Sequence, residues 1–348
     1  MNPHKKKIVF IINPISGTQN KEQITSSLDE ILDKDKFDWE IVKTERAGHA
    51  SEIAATAARD GIDIVGAIGG DGTINEIGRS LVHTSTAMAI IPSGSGNGLA
   101  RHLEIPMEPK KAIEMINNGV VSAIDYGKIN NIPFFCVCGL GFDAFVSLKF
   151  AESGKRGPIT YLEKTLTESL KYQPETYELE TEDGTVKHKA FLIACANASQ
   201  YGNNAYIAPQ ATTTDGLMDV IILEPFTVLD VPALSFQLFN KTIDQNSHIK
   251  TFRCKKLRIK RKSKGVVHFD GDPVITKKNV DVEMIPKSLN VIVPPSVDKG
   301  QTTIYQKLSD YFTELKMIND AIVGDISQRN KSIMNKNKAF IKKLTKKD

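Results

Sequence analysis

Residues 69–75 read Gly69-Gly70-Asp71-Gly72-Thr73-Ile74-Asn75, directly after the apolar run Ile62 to Ile68. A strand that ends in a glycine-rich turn exposes bare backbone N–H groups to a bulky anion. The helix starting near Thr73 would add its positive end to the same place. Asp71 is the one acid in this anion-friendly turn. A carboxylate there suits a cation or a hydroxyl proton, so the chemistry indicated is nucleotide binding with phosphoryl transfer. Asp71 is expected to face solvent, and its loss to leave the fold intact. Taken alone, the same residues also describe a structural strand-to-helix turn. Neither a Gly-x-x-x-x-Gly-Lys-Ser/Thr loop nor a Gly-x-Gly-x-x-Gly fingerprint is present.

The elements that must position this turn follow from periodicity. Ile8 to Ile12, Trp39 to Val42, Ile62 to Ile68 and Ala87 to Ile91 are strand-like. Lys21 to Leu32, Ala47 to Arg59 and Ile74 to Val82 have helical spacing between them. Such alternation predicts a parallel sheet covered on both faces, with ligands beyond the carboxyl ends of its strands. Three loops then matter: Asn13-Pro14-Ile15-Ser16-Gly17, Gly69 to Thr73, and Pro92-Ser93-Gly94-Ser95-Gly96-Asn97. From about Ser122 the texture turns strand-rich, through Leu289 to Val293, with helical interruptions near 160–170 and 231–239. The chain therefore divides into residues 1–121, a nucleotide-binding α/β domain; 122–299, a β-rich domain; and 300–348, a helical segment partly packing back on the first domain.

With 348 residues, 41% hydrophobic and 25% charged, the composition is that of a soluble globular protein. No apolar stretch is long enough to span a bilayer and the basic N-terminus lacks a signal-peptide pattern, so a cytoplasmic protein is expected. Cys136, Cys138 and Cys195 lie in apolar runs and are expected as reduced core residues. The net charge of +4 hides an asymmetry. Residues 253–264 carry eight basic residues and no acid, the tail from Ala321 carries eight against two, and the rest is net acidic at about −10. An anionic membrane surface is the expected partner. Nucleic acid is not, since residues 253–264 hold no aromatic for stacking. A solvated strand edge and tail account for the same charges equally well.

In order, these motifs resemble the soluble lipid kinases of the diacylglycerol-kinase catalytic-domain superfamily over roughly residues 7–295. The resemblance implies an NAD-kinase-like nucleotide domain with a parallel sheet (α/β) and a C-terminal β-sandwich-like (all-β) lipid domain. It implies ATP contacts at Asn13, Pro14, Ser16, Gly17, Thr44, Gly69, Gly70, Asp71, Gly72, Thr73, Asn75, Ser95, Gly96 and Asn97. Gly139-Leu140-Gly141-Phe142-Asp143-Ala144 resembles the motif that opens the lipid side, with Asp143 at the substrate mouth, where a helix N-cap is an equal account. Asp215-Gly216-Leu217-Met218-Asp219 resembles an element that holds a structural magnesium through its Asp and flanking carbonyls, here Thr212, Asp215 and Leu217. Phe269-Asp270-Gly271-Asp272 falls where bacterial members carry Asp-Gly-Glu, whose acid is the base.

The implied activity is transfer of the γ-phosphoryl of ATP, with Mg2+, to a lipid hydroxyl, diacylglycerol first and a sphingoid base as the alternative. Asp272 would be the base, Asp71 would organise the metal–phosphate assembly, and Asp270 would share in the work. Three features depart from the pattern: Gly94-Ser95-Gly96-Asn97-Gly98-Leu99-Ala100 is closer to sphingosine kinases, Asp272 replaces Glu, and Tyr201-Gly202-Asn203-Asn204 replaces a glycine triplet. They bear on the acceptor lipid, not on phosphotransfer. A non-catalytic lipid- or nucleotide-sensing module is the reading from another class. NAD kinase shares the glycine loop but not the Asp-Gly-x-Leu-Asp element. Without the upstream motifs, Asp270 to Pro273 would read as a plain β-turn. His49 and His102 show no partner in the sequence and are expected at the surface. Peripheral membrane association is expected, and a homodimer is compatible.

Overall fold

The computed structural model describes residues 5–14, 21–153 and 172–295. Ser16 and Gly17, the helical stretch expected near 160–170 and the C-terminal segment with its basic tail lie outside the described residues. Strands β1 (Lys6–Ile12), β2 (Phe37–Lys43), β3 (Ile64–Gly69) and β4 (Ala87–Pro92) pair in parallel in the order β2-β1-β3-β4. Every residue of β3 and β4 is buried, as a strand covered on both faces requires. Helices α1 (Lys21–Ile31), α2 (His49–Arg59), α3 (Asp71–Leu81), α4 (Gly98–His102) and α5 (Pro109–Asn118) supply the cover. Helix α3 lays Ile74, Ile77 and Leu81 on the core at helical spacing. It starts two residues after β3 ends, so the Gly69-Gly70 turn is as tight as its glycines suggest.

The β-rich half holds β5 (Val120–Ile129), β6 (Ile132–Phe134), β7 (Val137–Gly141), α6 (Phe142–Ser153), β8 (Glu175–Thr181), β9 (Gly184–Ala190), β10 (Leu192–Ala196), β11 (Met218–Leu223), α7 (Val231–Phe239), β12 (Ile249–Cys254), β13 (Lys256–Lys260), β14 (Gly265–Phe269), β15 (Asp272–Thr276) and β16 (Asn279–Val293). Six of these strands form an antiparallel sheet, β12-β11-β10-β7-β14-β15. Opposite it, β16, β13, β8 and β9 continue the ten-stranded sheet that begins with the parallel strands. The two are sealed by Leu140, Ile193 and Val220 from one sheet and Leu179, Ile259 and Val280 from the other. This sandwich-like packing bears out the expected fold class.

The sequence shows two strands at 280–285 and 289–293, but β16 runs through both. It pairs with β5 on either side of a register shift between Ile285 and Leu289. Pro286, which cannot donate to a ladder, sits at that shift, and Lys287 takes a φ of 48°. Asp125, fully buried, fills the gap: its carboxylate accepts the Lys287 N–H at 2.7 Å and the Gly216 N–H at 2.6 Å. One strand thus pins both halves and the 212–217 loop.

Candidate active site

The loops after β3 and β4 are packed backbone to backbone. A Cβ placed on Gly94 would lie 2.6 Å from the Gly70 Cα, and one on Gly96 would lie 2.7 Å from an Asp71 oxygen. The glycines here let the two loops approach each other. Asp71 completes that contact. Its Oδ2 accepts the Asn97 N–H and its Oδ1 the Gly98 N–H, both at 2.8 Å. The expectation of a solvent-facing acid is corrected: Asp71 is a partly buried strap that sets the start of α4. Asn97 holds a φ of 50° and donates from Nδ2 to the Gly94 carbonyl at 2.6 Å, while its Oδ1 is buried without a partner. An orphaned acceptor in a loop of this kind leaves room for a donor from a bound molecule.

Around this point stand the other expected nucleotide residues. Thr73 and Asn75 are buried in the first turns of α3, Ser95 and Gly72 are exposed, and Thr44 donates its N–H to the Ile12 carbonyl at 2.9 Å. Asn13 and Pro14 follow β1 in the same row of strand ends, while Ser16 and Gly17 fall outside the described residues. Lys21 was not anticipated. Its ammonium donates to the hydroxyl of Ser93, a residue with no exposed surface, and burial pushes its pKa down. It sits at the first position of α1, and only the structure brings it to the third loop.

Asp270 and Asp272 share a turn but have separate environments. Asp270, at φ 50°, accepts the N–H groups of Phe135 at 2.8 Å, Cys136 at 2.8 Å and Val137 at 3.1 Å. Burial pushes its pKa up to about 6, against those three donors and the Arg79 cation, which favour the charged form. Both its oxygens hold backbone, which makes it an anchor for the strand β7 of the β-rich half. Asp272 is exposed at the first position of β15, although its carboxyl is screened enough that burial raises its pKa. The positive charge of Arg79 and the ring of His268 pull it back. Arg79, from α3, lies over the Phe269 ring at 4.9 Å, and its buried Nε and Nη2 have no hydrogen-bond partner. It is a cation carried from α3 to the Asp270–Asp272 turn.

Asp143, at the head of α6, is buried. Its Oδ1 accepts the Ala144 N–H at 2.7 Å, and its Oδ2 meets His268 Nε2 at 3.0 Å and the Tyr201 hydroxyl at 3.3 Å. The Gly271 N–H reaches His268 Nδ1 at 3.4 Å, which places the ring proton on Nε2, donated to Asp143. His268 is a second residue that the sequence did not single out. The three motifs converge on one strand start. Burial first, then Asp270 and Asp71, push the Cys136 thiol up; burial and Cys195, then Asp270 and Asp143, do so for Cys138. All four cysteines are free.

The expected magnesium loop is arranged differently. Asp215 accepts the Leu217 N–H at 3.0 Å with one oxygen and the Arg253 guanidinium at 2.7 Å with the other. Arg253 also reaches Asp219 at 3.2 Å. Thr212 places its hydroxyl 3.3 Å from that of Thr214. A guanidinium occupies the side of Asp215 that a cation would use, so the Asp215 carboxylate as placed is not open to a structural magnesium. No group of three or more His, Cys, Asp or Glu among the described residues could hold a metal.

The basic run is likewise mostly compensated. Arg253, Lys256, Arg258 and Lys260 pair with Asp215 and Asp219, Glu283, Asp281, and Glu178 and Glu180. Arg261 is buried and clamps the β14–β15 hairpin through the carbonyls of Gly265, Val266, Thr276 and Lys277. Three of the eight cations, Lys255, Lys262 and Lys264, are left outside these contacts. His102 is half-buried and not the exposed residue expected. It pairs with Ser199 at 3.0 Å, and burial lowers its pKa to about 4. No helix among the described residues is long and apolar enough to cross a membrane.

Residues 7–129 match the family model of the diacylglycerol kinase catalytic domain, and residues 136–293 that of the YegS C-terminal NAD kinase beta sandwich-like domain. The chain is 25% identical over 272 residues to a diacylglycerol kinase of Bacillus subtilis, covering 77% of this chain and 90% of that one. It is 27% identical over 271 residues to a "Probable lipid kinase YegS-like" of Pectobacterium atrosepticum, covering 76% and 89%. The crystal structure of a diacylglycerol kinase from Bacillus anthracis superposes in fold with a TM-score of 0.66 at 20% identity, covering 84% of this chain and 97% of that one.

Proposed function

The chain belongs to the diacylglycerol kinase catalytic-domain family, and from that premise we propose that it transfers the γ-phosphoryl group of MgATP to the hydroxyl of a lipid, diacylglycerol above others. The observation that carries this reading is the double strap from Asp71 to Asn97 and Gly98. It holds two glycine loops together at the carboxyl ends of adjacent parallel strands, where an open α/β sheet binds its ligand. The loop N–H groups and the Lys21 ammonium suit a polyphosphate, and the orphaned Asn97 Oδ1 suits a donor such as a nucleotide hydroxyl or amine. Magnesium arrives with the nucleotide as part of the substrate and spreads the charge on the transferring group.

A lipid hydroxyl is a poor nucleophile at neutral pH, and a positioned base improves it. Asp272 is the acid of the turn whose oxygens are not committed to backbone, and its raised pKa suits proton acceptance. Asp71 and Asp270 build the site without touching the proton. Diacylglycerol is favoured over a sphingoid base because Asp143 is already engaged by His268 and Tyr201, so no free carboxylate at the head of α6 awaits an ammonium. The test is incubation with radiolabelled ATP and a panel of diacylglycerol, sphingosine, ceramide and undecaprenol, followed by separation of products. Label in phosphatidic acid is expected; label in sphingosine phosphate alone would reassign the acceptor, and label in none would return the chain to a sensing role.

A further inference from the structure

Helix α7 is built inside out. Leu229, in the turn before it, is 89% exposed, Phe236 is 68% exposed and Phe239 is 55% exposed, with Pro232 and Ala233 exposed between them. Positions 229, 232, 233, 236 and 239 are one stripe of a helix, and here that apolar stripe faces water. No charged residue occurs from Val231 to Asn240. The opposite side is held by buried Leu234 and by the Leu238 carbonyl, which accepts the Tyr206 N–H at 2.9 Å. The stripe is therefore fixed in place, and a contiguous exposed apolar patch of this kind marks an interaction surface.

We propose that this stripe is where the protein enters the surface of the bilayer that carries its lipid acceptor. The proposal rests on the lipid-kinase reading and deepens it. Continuity with the site selects a bilayer as the occupant. Phe226, three residues before Leu229, contacts Phe191 at 4.7 Å between ring centroids, and Phe191 contacts Phe142 at 4.5 Å. Phe142 adjoins Asp143, so a chain of aromatic contacts runs from Phe226, just before the exposed stripe in sequence, through buried Phe191 and Phe142 to the head of α6. A hydrocarbon chain drawn from a membrane at α7 would have to pass among these buried rings to leave its polar end toward Asp143. Exposed Lys241, two residues after Phe239, suits a headgroup layer. This locates the membrane contact on α7 and not on the compensated basic run of β13.

The test uses the full chain without ATP. Phe236→Trp adds a reporter to the single native tryptophan, Trp39, which gives the wild-type baseline. On phosphatidylcholine vesicles, with and without phosphatidylglycerol, its emission should shift to the blue and be quenched by brominated acyl chains. Phe236→Ser with Phe239→Ser should weaken vesicle binding by about tenfold or more. The double variant should keep its melting temperature and its turnover of a short-chain, water-soluble diacylglycerol within about twofold. Unchanged emission on vesicles would overturn the proposal. So would emission already blue and vesicle-insensitive in the free chain, which would mean that its own residues cover the stripe. A blue shift that follows protein concentration without vesicles would assign the stripe to a second copy. Because binding is read without turnover, a chain that bound through Phe236 yet phosphorylated no lipid would refute the substrate and leave this surface standing.

Discussion

On the nucleotide side, Asp71 closes two glycine loops by taking the N–H groups of Asn97 and Gly98. In the β-rich half, Asp270 and Asp125 do the same work, taking three N–H groups from Phe135 to Val137 and two from Gly216 and Lys287. The device is shared but its outcome differs. The strap on the nucleotide side is itself the conspicuous motif acid, so the motif and the scaffold are one residue. In the β-rich half the scaffold acids stand beside Asp272, the acid we propose for chemistry, and beside Asp215, which is paired with Arg253. An acid in a motif therefore marks where a site is. Its hydrogen bonds decide what it does there.

The strongest way to break this comparison is to remove the nucleotide strap. Asp71→Ala frees two backbone donors and opens the gap between Gly70 and Gly94. We expect turnover to fall by about a hundredfold or more together with ATP affinity, measured by calorimetry. Lost turnover with ATP affinity intact would make Asp71 a chemical group and not a strap. Asp270→Ala should behave as a structural lesion of the β-rich half. Unpairing buried donors from a charged acceptor costs about 3 kcal/mol in thermal or urea unfolding. Stability within error of wild type would contradict its assignment.

A smaller effect sharpens the contrast between Asp270 and Asp272. A base acts ionised, so activity is lost as pH falls through its pKa. Burial raises that of Asp272, so the loss should begin at a higher pH than for a free aspartate near ~4. Arg79→Met removes a cation that holds it down, and the acid limb of the kcat profile should move to higher pH still. An unmoved limb would remove Arg79 from the site. The smallest effect concerns Arg253. Chelation should leave the melting temperature of the wild type unchanged, whereas Arg253→Ala should become stabilised by added Mg2+, once the guanidinium has left Asp215. A wild type that melts earlier in chelator would restore the magnesium loop.

Much of the fold was legible because burial writes itself into periodicity. The continuous apolar runs of β1, β3 and β4 could only be strands covered on both faces, and the glycine loops after them marked the ligand edge. Strand β16 was read as two because Pro286 interrupts its ladder, and the carboxylate that repairs the gap comes from Asp125, 161 positions earlier. Roles at the site were harder to read. Asp270 and Asp272 look alike in sequence, and only the folded backbone gives one three donors. His268 and Lys21 carry no spacing signal; each matters through a partner, Asp143 or Ser93, that pairing brings from far along the chain.

Asp272 is the proposed acceptor of the hydroxyl proton, and the direct measurement is single-turnover transfer from radiolabelled ATP to diacylglycerol by Asp272→Asn. The substitution keeps the size of the side chain and removes its basicity. The rate should fall by about a hundredfold or more while ATP affinity and melting temperature stay at wild-type values. A rate within a few-fold of wild type would show that no base is needed at this turn. Collapse of ATP binding would move Asp272 to the metal–phosphate assembly.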